Sequence, residues 1–192
     1  MYDATTLQAM PAVDYQGGRH DIRSGDLLFA SGDFLLSKLI RKATGSMWSH
    51  FAIIYRIPPP TDRVLVLESV EVYGVRLAPL SLYLENYWRG RPYPGSVYIA
   101  RCNQEVPVDH KQMFRVGFDL LTRQYGYLDL LRMELRILFG KRFINRRDEY
   151  VCSELVDACF RRGGVTFEQN DQFISPEDIA RDSKVQFVHR LL

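Results

Sequence analysis

Three cysteines are all that the 192 residues contain, an odd number without paired spacing. A disulfide framework is therefore not expected, and the thiol usage fits a reducing compartment. Charge of one sign is also scarce: 25 Lys and Arg stand against 23 Asp and Glu, a formal net charge of +2. So small an excess implies no general nucleic-acid footprint. No hydrophobic run approaches the length of a membrane span, and residues 1–18 lack the apolar core of a signal peptide. A cytoplasmic protein is the expectation. Internal repeats and low-complexity tracts are missing, as are the short-spaced ligand pairs of a zinc site. Neither a metal nor another cofactor is expected.

What is there is ordinary globular composition, 46% apolar and 25% charged, enough for one domain over residues 1–192. Residues 1–21 read as an irregular N-terminal segment with Gly17-Gly18 as a hinge. Leu27–Ala30 is a short apolar strand. Ser31 or Asp33 can cap a helix from about Phe34 to Ala43, whose apolar face is Leu35, Leu36, Leu39 and Ile40. Lys38, Arg41 and Lys42 then form a solvated face near its C-terminal end. Further strands are expected at 49–55, 64–70, 71–80, 96–102 and 185–188, with Pro58-Pro59-Pro60 as a loop inside a hairpin. Helices are expected over 108–122, through Phe139, from Asp148 to about Arg162, and from the capped start Ser175-Pro176. Helices and strands segregate without regular alternation, so the expected class is α+β.

The chain is organised around Asp148-Glu149-Tyr150-Val151-Cys152-Ser153-Glu154-Leu155-Val156. Asp148 can cap the first amides, and Gly163-Gly164 can end the helix. Cys152, Leu155, Val156, Cys159 and Phe160 follow the spacing of one buried helical face, so Cys152 suits either packing or chemistry. Helix N-termini stabilise thiolates, which favours chemistry. Far upstream, Glu68 interrupts the apolar run Val64–Val70, and a buried carboxylate needs a partner. If strands 49–55 and 64–70 form a hairpin with residue numbers summing to 118, His50 faces Glu68 directly. A cysteine nucleophile needs a base, and the base needs a third group to fix its ring. Cys152, His50 and Glu68 can supply these roles. A zinc site from the same three residues is the weaker option, and Cys102 reads as structural.

The blocks Gly25-Asp26-Leu27-Leu28-Phe29, Ser49–Tyr55, Leu67-Glu68-Ser69-Val70 and Tyr150–Val156 resemble, in that order, the circularly permuted, papain-like NlpC-type cysteine hydrolases (YiiX/YebB-like). The resemblance spans about residues 22 to 165. It implies a papain-like fold, an antiparallel sheet or partial barrel with the cysteine helix packed on it. It implies a nucleophile at Cys152, a base at His50 and an orienting acid at Glu68. It also implies a tyrosine that lines the site and helps stabilise the oxyanion. Tyr125 matches best, with Gln124 and Gly126 in place of the family's flanking proline and aspartate, and Tyr127 is the alternative.

The expected activity is cleavage of an amide or ester through a thioacyl-enzyme intermediate. The substrate classes are small peptides, with cell-wall peptides suggested by the wider group, or an acyl-lipid, with acyl transfer as a variant. A binding module that has kept the fold and lost turnover is the competing class. The basic segment 132–147 reads first as a solvated face, with peripheral membrane contact the less favoured reading, and together with the aromatic loop 83–93 it would suit an acyl substrate.

Overall fold

A computed structural model describes residues 3–70, 73–103, 107–125, 149–150, 152–169 and 174–192, with the side chains of residues 43, 124, 125, 149 and 150 excepted. Its centre is a six-stranded antiparallel sheet of order β4-β3-β2-β1-β5-β8. The strands are β1 (Leu27–Gly32), β2 (His50–Ile57), β3 (Arg63–Val70), β4 (Gly74–Pro79), β5 (Gly95–Cys102) and β8 (Val185–Arg190). A short parallel ladder joins β6 (Gln124–Tyr125) to β7 (Glu149–Tyr150), with Tyr125 aligned on Tyr150. The class is α+β, as the segregated pattern implies.

β1 is buried along its whole length, because β2 and β5 flank it and both sheet faces are covered. That explains its unbroken apolar run. Alternate residues feed two cores. Leu27, Phe29, Phe51, Ile53 and Leu67 meet helices α5 (His110–Asp119) and α6 (Cys152–Arg162) through Met113, Leu155, Val156 and Phe160. Leu28, Ala52, Ile54 and Val66 face the other way, toward Leu80, Tyr83 and Tyr93 around helix α4 (Leu80–Glu85). Each fully buried Leu, Ile or Phe contributes roughly 1.5–3 kcal/mol relative to exposure. Close approach of α5 to β3 requires Gly117: a Cβ there would lie 2.3 Å from Leu67 Cδ2.

Three expectations are corrected. The N-terminal segment is not irregular: α1 (Ala4–Ala9) and α2 (Tyr15–Gly18) are short helices capped by the side chains of Asp3 and Asp14. Leu7 enters the core, and Ala12 bridges to Arg190. Helix α3 runs from Leu35 to Thr44 with Phe34 at its N-cap and no side-chain cap. Ser31 belongs to β1, and its Oγ accepts from Arg41 Nη1 at 2.8 Å. Leu35 and Leu39 do not face the core; they are 79% and 48% exposed, because the helix turns inward the neighbouring, half-buried face carrying Leu36 and Ile40.

The third correction is the hairpin register. Ile53 pairs with Leu67 and Ile57 with Arg63, so partners sum to 120 and not 118. The five-residue loop 58–62 closes with Asp62 at φ 42°, its carboxylate accepting from Arg56 Nη2 at 2.7 Å. That clamp holds the loop end where the pairing sum is 120. Strand side chains repeat every second residue, so a shift of two in the sum leaves His50 and Glu68 on one face. They are diagonal neighbours, not directly opposed.

Helix α7 (Pro176–Arg181) begins with a capping box: Asp178 N donates to Ser175 Oγ, and Asp178 Oδ2 accepts from Ser175 N. The expected Asp148 cap, the helix through Phe139 and the basic segment 132–147 lie outside the described residues.

Candidate active site

His50 opens β2 at the end of the sheet, and its backbone is fixed by the residue before it. Ser49 N donates to Ala30 O at 2.9 Å, and Ser49 Oγ accepts from Gly32 N at 2.8 Å. His50 pairs with Ala30 of β1, which anchors its backbone on that side. Its Nε2 donates to Glu68 Oε2 at 2.9 Å. Tyr83 lies against the imidazole, nearly parallel at a centroid distance of 6.5 Å.

Glu68 is completely buried, and its burial is compensated. Oε2 accepts from His50 and from the Tyr83 hydroxyl; Oε1 accepts from Arg76 Nε at 2.8 Å. Arg76 stands directly across the β3–β4 ladder from Glu68. It also lies over the Tyr73 ring at 4.7 Å. Burial pushes the Glu68 carboxyl up, but the hydrogen bond from His50 and the charges of His50 and Arg76 outweigh it and hold it below the ordinary range. Burial and the neighbouring carboxylate push the Tyr83 hydroxyl well above its ordinary value, so it remains a donor.

Cys152 is the first residue of α6, half-buried, with Leu155, Val156, Cys159 and Phe160 on the core side. Gly163 and Gly164 follow the last helical turn, with Gly164 at φ 87°. α6 packs on β2 and β3, which brings its first turn to the end of the sheet that carries His50. The Cys152 thiol lies beside the His50 ring, near enough to act on its protonation. Since Nε2 serves Glu68, Nδ1 is the nitrogen left for sulfur. Burial lowers the His50 pKa, yet the contacts with Cys152 and Glu68 and their charges raise it overall to about 9. Burial pushes the Cys102 and Cys159 thiols both up to about 12.

A cleft of about 460 Å³ opens over His50 and Arg76, walled mainly by Phe34, Leu36, Ile40, Tyr87, Trp88 and Tyr93. The aromatic stretch 83–93 is thus partly buried support and partly groove wall. The structure brings together Cys152, His50 and Glu68. For Tyr125 it gives the backbone alone, beside Tyr150 and so two residues ahead of Cys152 in the ladder. Tyr127 lies outside the described residues. Arg76 and Tyr83 are the functional neighbours that sequence reasoning missed. An arginine within the strand that follows Glu68 was the available signal for the first; nothing local marked the second.

Among the described residues no three His, Cys, Asp or Glu side chains cluster as a metal would require. The three grouped residues do not fit a metal: His50, Arg76 and Tyr83 occupy the Glu68 oxygens, and Glu68 in turn occupies Nε2 of His50. No helix among the described residues is long and apolar enough to cross a membrane.

The family model described as "Permuted papain-like amidase enzyme, YaeF/YiiX, C92 family" matches residues 21–189. Among solved structures, the chain is similar to the one described as metalloprotein yiiX from Escherichia coli O157:H7. The TM-score is 0.64 at 18% identity, over 88% of this chain and 97% of that one. At that identity the likeness concerns the fold alone. No curated protein matches the sequence.

Proposed function

Since the chain belongs to the permuted papain-like amidase family and is a papain-like cysteine hydrolase, we propose that Cys152 is its nucleophile, His50 its acid–base and Glu68 the acid that orients His50. The observation that supports this reading is a thiol placed beside the His50 ring, whose Nε2 is held at 2.9 Å by the buried Glu68 carboxylate. The substrate is an amide or ester whose acyl part enters the cleft.

The steps follow from these positions. The thiol proton passes to Nδ1 of His50, and the thiolate attacks the carbonyl carbon. A C–S bond forms, and the carbonyl oxygen takes the negative charge. Backbone N–H groups at the start of α6 are the donors nearest that charge, with Tyr125 the side chain assigned to assist them. The imidazolium then protonates the leaving nitrogen or oxygen as its bond to the acyl carbon breaks. Water attacks the thioester, His50 takes its proton, and the C–S bond breaks to release the acid. Through both halves Glu68 accepts from Nε2, keeping Nδ1 turned to sulfur.

Two substrate classes compete. Cell-wall peptides would present an amide. An acyl-lipid, cleaved or passed to another acceptor, is favoured by the apolar wall of Phe34, Leu36, Ile40 and Trp88. Iodoacetamide labelling at neutral pH tests the chemistry first. Cys152 should react much faster than Cys102 or Cys159, and His50→Ala should slow it. Equal rates at all three thiols would end the hydrolase assignment for these residues and favour a binding module. An activity-based acyl probe, followed by profiling of peptide, ester and lipid amide substrates, then separates the classes.

A further inference from the structure

The face of α3 that turns away from the body is not a polar face. Leu35, Lys38, Leu39 and Lys42 are all exposed and lie on one side of the helix, with the two leucines 79% and 48% accessible. Beside them stands the turn that carries Trp88, 56% exposed, with Arg89 and Arg91 also in solvent. Phe34 links the two parts: its ring meets Trp88 edge-on at 6.4 Å. The Arg89 guanidinium lies 5.4 Å from the Trp88 ring. Leucine and tryptophan thus alternate with four cations along one ridge. The nearby acids do not cancel it: Asp33 has Arg41 at 3.7 Å, which leaves Glu85 as the other exposed carboxylate on the flanking helix α4. The inner side of the same helix, Leu36 and Ile40, walls the cleft that reaches His50.

We propose that this ridge docks the protein on an anionic lipid bilayer. Leu35, Leu39 and Trp88 enter the acyl boundary, and Lys38, Lys42, Arg89 and Arg91 lie among lipid phosphates. Short amphipathic helices with apolar side chains between cations bind in this way, and indole and guanidinium groups suit the headgroup depth. A second copy of the chain is a poor occupant, because a two-fold contact would set the four cations against themselves. Docking here would hold the cleft mouth at the lipid surface. The assignment does not depend on Cys152 being a nucleophile.

The test uses the full chain with vesicles of phosphatidylcholine alone and of phosphatidylcholine mixed with phosphatidylglycerol. Co-sedimentation measures binding, and tryptophan emission measures insertion. Trp48 is fully buried, so a vesicle-dependent shift reports Trp88. The expected result is binding to the anionic vesicles, a blue shift, and quenching by brominated acyl chains. Leu35→Glu with Leu39→Glu should weaken binding about tenfold or more. Removing either lysine should weaken it about fivefold. Trp88→Ser is the second variant should the leucine pair disturb folding, as judged by circular dichroism. Absence of binding at low salt overturns the proposal. So does binding without an emission shift that survives the leucine changes, or preference for soluble polyglutamate over vesicles. Thiol labelling of the same samples reports on Cys152 separately, so the two readings fail independently.

Discussion

The sheet carries two histidine–carboxylate pairs, and they look alike in a list of distances. His50 Nε2 lies 2.9 Å from Glu68, and His189 Nε2 lies 3.0 Å from Asp21. Each acid also meets arginine, Arg76 in one case and Arg23 and Arg101 in the other. The surroundings separate them. Glu68 is sealed from water, whereas Asp21 is 47% exposed. Water screens the Asp21 pair; burial raises the Asp21 pKa, and the hydrogen bond from His189, the charge of Arg101 and the contact with Arg23 lower it overall. In the buried pair the same contacts act at low dielectric and lift the imidazole to about 9. The buried pair also has a thiol and a cleft beside it. A histidine next to an acid is therefore common architecture; seclusion and a neighbouring thiol distinguish the candidate site.

The contrast can be broken most directly at the sulfur. Cys152→Ala should reduce hydrolysis of any accepted amide or ester by about a thousandfold or more while the melting temperature changes little. Next, His50→Ala should cost about 10²- to 10⁴-fold in turnover, and His189→Ala should stay within about twofold. Equal losses would erase the distinction between the two pairs. The pH profile sharpens it further. His50 titrates above its ordinary 6.5, so its contribution to stability is complete below that value and fades as pH rises through about 9. Urea melts of wild type and His50→Gln should thus converge above pH 9, from a gap of about 3 kcal/mol at most near pH 6. The smallest effect concerns packing behind the site. Gly117→Ala should destabilise by about 1–3 kcal/mol in denaturant unfolding, because Leu67 must yield to the new methyl group.

Much of this arrangement was legible in the residues. Period-two alternation keeps His50 and Glu68 on one face for pairing sums of 118 and 120 alike, and the interrupted apolar run pointed to a buried acid with a partner. The helical stripe from Cys152 to Phe160 was equally readable, as was the glycine stop after it. Register was not, since loop 58–62 is fixed by an Arg56–Asp62 contact that turn composition does not encode. The α3 face was misjudged for a related reason. Leu35, Leu36, Leu39 and Ile40 form one stripe by spacing, but only part of it meets protein, and spacing cannot say where the neighbours end. Two N-terminal helices escaped notice because each is too short to show a period, although Asp3 and Asp14 were available as caps. Tyr83 reaches Glu68 from a helix packed on the sheet, a contact that only the folded chain creates.

Arg76 has one last consequence. A guanidinium does not release its proton in the accessible pH range, whereas an imidazole does. When His50 becomes neutral, Glu68 still faces a permanent cation across the ladder. The interior thus never strands a lone anion, and the ring can change protonation without forcing the acid to follow.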